Sequence, residues 1–247
     1  MNPTVRLGIV GHRGAGKLAP ENTLAAIYTA LRMGLDGIEC DIQVTSDGEP
    51  VLLHDTTLNR TTDGFGQIVD HSVDDLQSLD AGGWYHYIYK GEKIPTLREA
   101  LELIDGRLTV FLEIKTPSGV EPTADIMQEF RAETWCIIVS SAENVLAQCA
   151  KRIPDAPRTI LVHPEAPPDP AELIGHMTSI PAGIVGLSPR WLELDLIDKI
   201  RQAGFRVVTG PVDTRDQCDE VFSLLPDYIL TNRPDVVGVR LDDQASA

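Results

Sequence analysis

The run Gly37-Ile38-Glu39-Cys40-Asp41-Ile42-Gln43-Val44 places two carboxylates inside an otherwise apolar segment. Side chains alternate between the two faces of a strand, so Glu39 and Asp41 share one face while Cys40 and Ile42 occupy the other. Charges on the inner face of a buried strand need a site that uses them. Working outward, seven more short apolar runs read as strands: Leu7–Val10, Leu108–Lys115, Cys136–Val139, Thr159–Val162, Ile184–Leu187, Arg206–Val208 and Tyr228–Leu230. The second of these ends in Glu113-Ile114-Lys115, where Glu113 and Lys115 again share a face and Phe111 precedes them on it.

Amphipathic stretches lie between the runs: Glu21–Met33, Leu97–Ile104, Thr123–Arg131, Glu143–Ile153, Pro170–Met177, Glu193–Ala203, Asp216–Leu224 and a short one after Pro234. Strands alternating with helices predict a parallel sheet. Eight such units in 247 residues predict a closed (β/α)8 TIM barrel, an α/β fold. An open doubly wound sheet is the alternative, but the first strand–helix turn has no G-x-G-x-x-G run. One segment breaks the rhythm. Asp55 to Pro95 is far longer than an ordinary connection and holds Trp84, Tyr85, Tyr87 and Tyr89. It is expected to be a small subdomain inserted at about 55–95 between the second strand and its helix, within one domain spanning 1–247.

Composition narrows the function. Hydrophobic residues make up 43%, enough for a core, and the formal net charge is −16. Such a surface repels phosphate backbones and anionic membranes on average, so no nucleic-acid partner and no membrane insertion are expected. No apolar run is long enough to span a bilayer, and the start of the chain does not read as a signal peptide. Cys40, Cys136, Cys149 and Cys218 are far apart, with no C-x-x-C pair. A reduced, cytoplasmic protein is the expectation. Self-association is left open. The tail Leu241–Ala247 is expected to fray, and Glu165–Pro170 to form a rigid loop without chemistry.

The chemistry gathers at the strand ends. His12-Arg13-Gly14 follows the first strand, Pro20-Glu21-Asn22-Thr23 comes next, and His54-Asp55 follows a further apolar stretch, Val51–Leu53. In a barrel, the carboxyl ends of the strands open onto the active-site mouth. Glu39, Asp41 and Glu113 converging there would repel one another unless a positive charge sat among them. All-oxygen ligands suit a hard divalent cation, Mg²⁺ or Ca²⁺. Arg13 and Lys115 beside it suggest an anionic substrate, and two histidines offer a general base and a general acid. Each residue also has a plain structural role open to it. His12 or His54 could serve as a hydrogen-bonding residue, the carboxylates could form ion pairs, and Asn22 or Thr23 could cap a helix. Their joint occurrence at strand ends favours function.

These residues resemble the glycerophosphodiester phosphodiesterase family. The likeness rests on His12-Arg13-Gly14, Pro20-Glu21-Asn22-Thr23, Glu39-x-Asp41, His54-Asp55 and Glu113-Ile114-Lys115. It continues through Leu58-Asn59-Arg60-Thr61-Thr62-Asp63-Gly64, Ile94-Pro95-Thr96-Leu97 and Asp227-Tyr228-Ile229-Leu230-Thr231-Asn232-Arg233-Pro234. The resemblance implies hydrolysis of a small-molecule glycerophosphodiester to glycerol 3-phosphate and an alcohol, with one divalent metal ion. It implies Glu39, Asp41 and Glu113 as metal ligands, His12 and His54 as the acid/base pair, and Arg13 and Lys115 as phosphate-binding residues. Two places depart from the pattern. Gly210-Pro211-Val212-Asp213 stands where many members carry a Trp-Thr-Val-Asn-like run, and Ser141-Ala142 where a Ser-Phe pair is common. Both remove an aromatic from the expected rim, and the aromatics at 84–89 are candidates for the missing wall. They could instead pack the insertion's own core. The rival readings are a related barrel phosphodiesterase, of the phospholipase C or sphingomyelinase D type, that ends at a cyclic phosphate, and a catalytically silent anion- or metal-binding barrel.

Overall fold

The computed structural model describes residues 7–238; the expected fraying of Leu241–Ala247 lies outside them. Eight parallel strands follow one another round a closed sheet: β1 (Gly8–Gly11), β2 (Gly37–Val44), β4 (Thr109–Ile114), β5 (Cys136–Ser140), β6 (Arg158–Leu161), β7 (Ile184–Leu187), β8 (Arg206–Thr209) and β9 (Tyr228–Thr231). The ring closes because β1 pairs with both β2 and β9. Helices α1 (Leu24–Met33), α3 (Leu97–Ile104), α4 (Val120–Glu129), α5 (Glu143–Arg152), α6 (Pro170–Ser179), α7 (Leu194–Gln202) and α8 (Arg215–Leu224) connect the strands, and a helical turn covers 234–238. This is the (β/α)8 barrel expected from the alternation.

Two apolar layers follow from strand alternation. Outward side chains such as Ile38, Cys40, Leu112 and Ile138 meet the helices in the main core. Cys40, 1% exposed, behaves there as a small hydrophobe. Inward side chains Val10, Phe111, Ile137, Val139, Ile184 and Val208 fill the barrel. These side chains plug the interior of the barrel.

Most strand boundaries fall within a residue of expectation, and two helix starts differ for physical reasons. α4 begins at Val120, with Pro122 inside its first turn, where a missing N–H breaks no helical bond. α1 begins at Leu24 rather than Glu21, because Asn22 takes the left-handed conformation (φ 56°) and Thr23 caps the helix by accepting from the Ala26 N–H. Glu21 and Asn22 are thereby released from the helix to face the mouth.

A ninth strand is added. β3 (Pro50–Leu52) folds back antiparallel on the end of β2, in register Ile42 to Leu52. Pro50 sits at its first position, the one a proline tolerates. The hairpin returns the chain to the mouth, where the Leu53 N–H donates to the Asp41 carbonyl (3.1 Å), and so delivers His54. The following segment carries a short helix α2 (Val73–Gln77). Its side chains Leu58, Ile68, Leu76, Ala81 and Ile94 form a separate small cluster with Val51 and Leu53.

Candidate active site

The turn after β1 presents His12 and Arg13. Arg13 adopts φ 54°, a sparsely populated region for a residue with a Cβ. Gly14 follows at φ 85°, where a Cβ would lie 2.8 Å from that of Ala26. This tight turn points the Arg13 N–H at Glu39 Oε2 (3.0 Å) and the guanidinium at Glu21 (2.7 Å) and Asp41 (3.4 Å).

The β2–β4 ladder sets Asp41 directly beside Glu113. Glu39, Asp41 and Glu113 bring one carboxylate oxygen each within 4.8 Å of the others. Burial drives the Glu39 carboxyl well above its usual range, and Asp41 and Glu113 push the same way. Glu113 is raised for the same reasons, burial first. Burial also works to raise Asp41, but Lys115 (Nζ to Oδ1, 2.7 Å), Arg13 and the Asn22 amide (2.8 Å) prevail and hold it below. Glu39 Oε1 is buried without a hydrogen-bond partner. An orphaned carboxylate oxygen beside a second strained carboxyl is the donor set a hard divalent cation fits.

The two histidines are held differently. His12 Nδ1 lies 2.9 Å from Asn232 Oδ1, just past the end of β9, and its Nε2 lies 3.7 Å from Glu39 Oε2. Burial, assisted by Arg13, lowers the imidazole below its usual value against the opposing Asn232 bond. His54 Nδ1 instead meets the Asp55 carboxylate at 2.6 Å. Asp55 is depressed below the usual carboxylate range by its bonds to Arg60 first and His54 second, against burial. The Lys115 ammonium also donates to the His54 carbonyl (2.9 Å), tying the hairpin to β4.

All seven residues singled out by sequence therefore meet at one mouth. His12, Glu39, His54 and Glu113 line a cavity of about 330 Å³ whose far wall is Val139, Leu161, Val208, Leu230, Gly210 and Pro211. Asp55, Arg60, Asp213 and Asn232, which bond to one another or to the histidines, received no role from sequence, and Asn22, read from sequence only as a candidate helix cap, holds Asp41 instead. His163, which reaches the cavity two residues beyond β6, received no role either. Their shared signal is position: Asn232, Asp213 and His163 all follow strand ends.

The aromatic wall requires correction. None of Trp84, Tyr85, Tyr87 and Tyr89 lines the cavity. Nor do they fill the separate small apolar cluster of residues 51–94. Trp84, Tyr85 and Tyr89 pack edge-to-face in series, Tyr89 donates to the Leu18 carbonyl (3.1 Å), and Tyr87 is 79% exposed. Gly210 and Pro211 do line the mouth, whereas Ala142 packs against the outer core beside α5. One of the two missing aromatics thus leaves cavity space and the other does not.

Among the described residues, no helix is long and apolar enough to cross a membrane. The model of the glycerophosphoryl diester phosphodiesterase family matches residues 12–236. A glycerophosphodiester phosphodiesterase of Caldanaerobacter subterraneus is 30% identical over 237 residues, covering 93% of this chain and 95% of that one. Among solved structures, a glycerophosphodiester phosphodiesterase of Agrobacterium tumefaciens is 30% identical with a TM-score of 0.82, covering 95% of this chain and all of the other. An Oleispira antarctica phosphodiesterase in complex with the product sn-glycerol-3-phosphate is 26% identical, with a TM-score of 0.85 over 95% of this chain and 96% of that one. Because the family match runs from the first mouth histidine to the helical turn after the last strand, the chain belongs to the glycerophosphoryl diester phosphodiesterase family and is a phosphodiesterase.

Proposed function

We propose that the protein hydrolyses small-molecule glycerophosphodiesters to glycerol 3-phosphate and an alcohol, with one divalent metal ion held by Glu39, Asp41 and Glu113. The observation that carries the reading is the clustering of these three carboxylates, two of which line one cavity with both histidines. A bound Mg²⁺ or Ca²⁺ would supply positive charge against the oxygens of the phosphodiester, where charge grows in the transition state.

The chain's own residues account for the rest. Arg13 and Lys115, which lie against Asp41, are read as holding the phosphate. Each is paired with Asp41, one of the three carboxylates that would hold the metal ion. His12 is read as the base: burial favours its neutral imidazole, and Nδ1 is engaged by an amide oxygen, which leaves the Nε2 lone pair free. Nε2 takes the proton from the attacking oxygen, whether of water or of the glycerol 2-hydroxyl. As that oxygen bonds to phosphorus, the bond from phosphorus to the alcohol oxygen breaks. His54, whose Nδ1 is held by the Asp55 carboxylate at 2.6 Å, is read as the acid and gives its proton to the departing oxygen. Attack by the 2-hydroxyl would pass through a cyclic phosphate, whose hydrolysis reverses the roles.

Residues 55–95 are read as an inserted subdomain of one barrel domain. Its own small apolar cluster and its bonds to the β1–α1 loop through Arg60 and Tyr89 support this. The acidic composition and dispersed cysteines support a cytoplasmic setting.

The test is release of glycerol 3-phosphate from a panel of soluble glycerophosphodiesters with Mg²⁺, with Ca²⁺ and with a chelator, followed by ³¹P NMR. Metal-dependent release is expected. Release unaffected by exhaustive chelation would overturn the metal assignment, and accumulation of a stable cyclic phosphate would overturn hydrolysis as the overall reaction.

A further inference from the structure

Beneath His12 lies a group that the reading so far leaves unused. Asp213, in the loop between β8 and α8, receives four donors. Its Oδ1 accepts from the Asn232 backbone N–H (2.7 Å) and the Thr231 hydroxyl (3.3 Å). Its Oδ2 accepts from Asn232 Nδ2 (2.9 Å) and from Lys17 Nζ (2.9 Å). Burial opposes its ionisation, but the Asn232 and Lys17 bonds outweigh it and keep the carboxyl below its usual range.

An ionised carboxylate accepts hydrogen bonds and donates none. Only the NH₂ end of the Asn232 side chain can face it, whichever way an amide is first placed. The carbonyl end must then face His12, where Oδ1 lies 2.9 Å from Nδ1. An amide oxygen also only accepts, so Nδ1 must carry the proton. We infer that Asp213 is a positioning residue which, through the side-chain amide of Asn232, locks His12 in the Nδ1–H tautomer and leaves Nε2 as its basic nitrogen.

Asp213 closes the run Gly210-Pro211-Val212-Asp213 after β8. An asparagine there could offer Asn232 either an oxygen or an NH₂, so the amide would no longer be held one way. The carboxylate removes that freedom. Lys17, more than half exposed, supplies the compensating charge from the β1–α1 loop.

The consequence for turnover rests on the reading of His12 as the base; the tautomer itself does not. Histidine ring ¹⁵N shifts report which nitrogen bears the proton in the full chain, at a pH where His12 is neutral. The wild type is expected to show a single Nδ1–H form. Asp213→Asn, nearly isosteric, is expected to show a mixture of tautomers and to lower kcat about 10–100-fold with KM little changed, the scale of losing an outer partner of a functional histidine. A single Nδ1–H form in Asp213→Asn would overturn the inference. Mixed tautomers with unchanged kcat would uphold it and overturn His12 as the base. Should Asp213→Asn fail to fold, Asn232→Ala removes the acceptor and is expected to let Nε2 carry the proton in a measurable fraction; an unaltered tautomer there overturns the inference equally.

Discussion

The wall of the mouth built by β1, β2 and β4 carries His12, Arg13, Glu39, Asp41, Glu113 and Lys115, while β5 to β8 face it with Val139, Leu161, Gly186 and Val208. The change is abrupt. Along one row of the sheet, Asp41 pairs with Glu113, Glu113 with Val139, Val139 with Thr159, and Thr159 with Ile184. Backbone and register are continuous across this row, so the barrel does not dictate the chemistry. It supplies equivalent inward positions, and the side chains divide the labour. Charges on the first wall need partners, and nearly every one is fixed by another: Arg13 by Glu21, Asp41 by Lys115 and Asn22, His54 by Asp55. The second wall needs no such network and provides room for substrate.

If that division is right, the largest losses should come from the charged wall. His12→Ala and His54→Ala should each lower kcat by at least about 100-fold with the fold intact, as read by initial rates and far-UV circular dichroism. Activity surviving both changes would break the comparison at its centre.

Arg60 sharpens it. Its guanidinium takes Asp55 with Nε and Nη2 (2.7 and 3.0 Å) and Glu21 with Nη1 and Nη2 (2.9 and 2.8 Å). A single planar fork therefore connects the support of His54 to the partner of Arg13. Arg60→Ala should lower kcat about 10–100-fold. Arg60→Lys should recover little, because one ammonium cannot grip two carboxylates bidentately. Full rescue by lysine would reduce Arg60 to a generic positive charge.

A third prediction concerns stability. Glu39 and Glu113 have folded-state pKa values raised above their unfolded ones. Their contribution is fully present below the unfolded values and is lost as pH rises through the folded ones. Asp41 and Asp55 are depressed, so theirs is present above the unfolded values and is lost as pH falls. With chelator, the Tm should therefore decline as pH rises above the usual carboxylate range, and a divalent ion should restore it. Glu39→Gln should raise the chelated protein's Tm at the upper end of that rise, by about 2–4 °C for each kcal/mol relieved, while losing activity. A chelated wild type whose Tm is flat across this range would break the charge-repulsion account. The smallest effect is expected away from both walls. Trp84→Ala and Tyr87→Ala should leave KM unchanged across head groups, since neither residue reaches the cavity.

Much of the mouth was legible because its signals are local. A short apolar run ending in a charge marks a strand and its open end together, which is how Glu39, Asp41, Glu113 and Lys115 could be placed. His12, Arg13 and His54 followed from the same position. The hairpin was not legible: Pro50–Leu52 is three residues long, too short for a period, and its antiparallel pairing is decided by β2. The aromatics at 84–89 misled because composition carries no direction, and a ring on an insertion can face the barrel, its own core or water.

What the sequence by itself determined was the barrel and the kinds of group at its mouth, because alternation of apolar runs is read over a few residues. What only the tertiary structure decided was who holds whom. His12 and Asn232 are separated by 220 positions and meet at 2.9 Å because closing the sheet sets β1 beside β9. Pairings across a closed barrel depend on which strand ends become neighbours, and no local pattern of side chains carries that information.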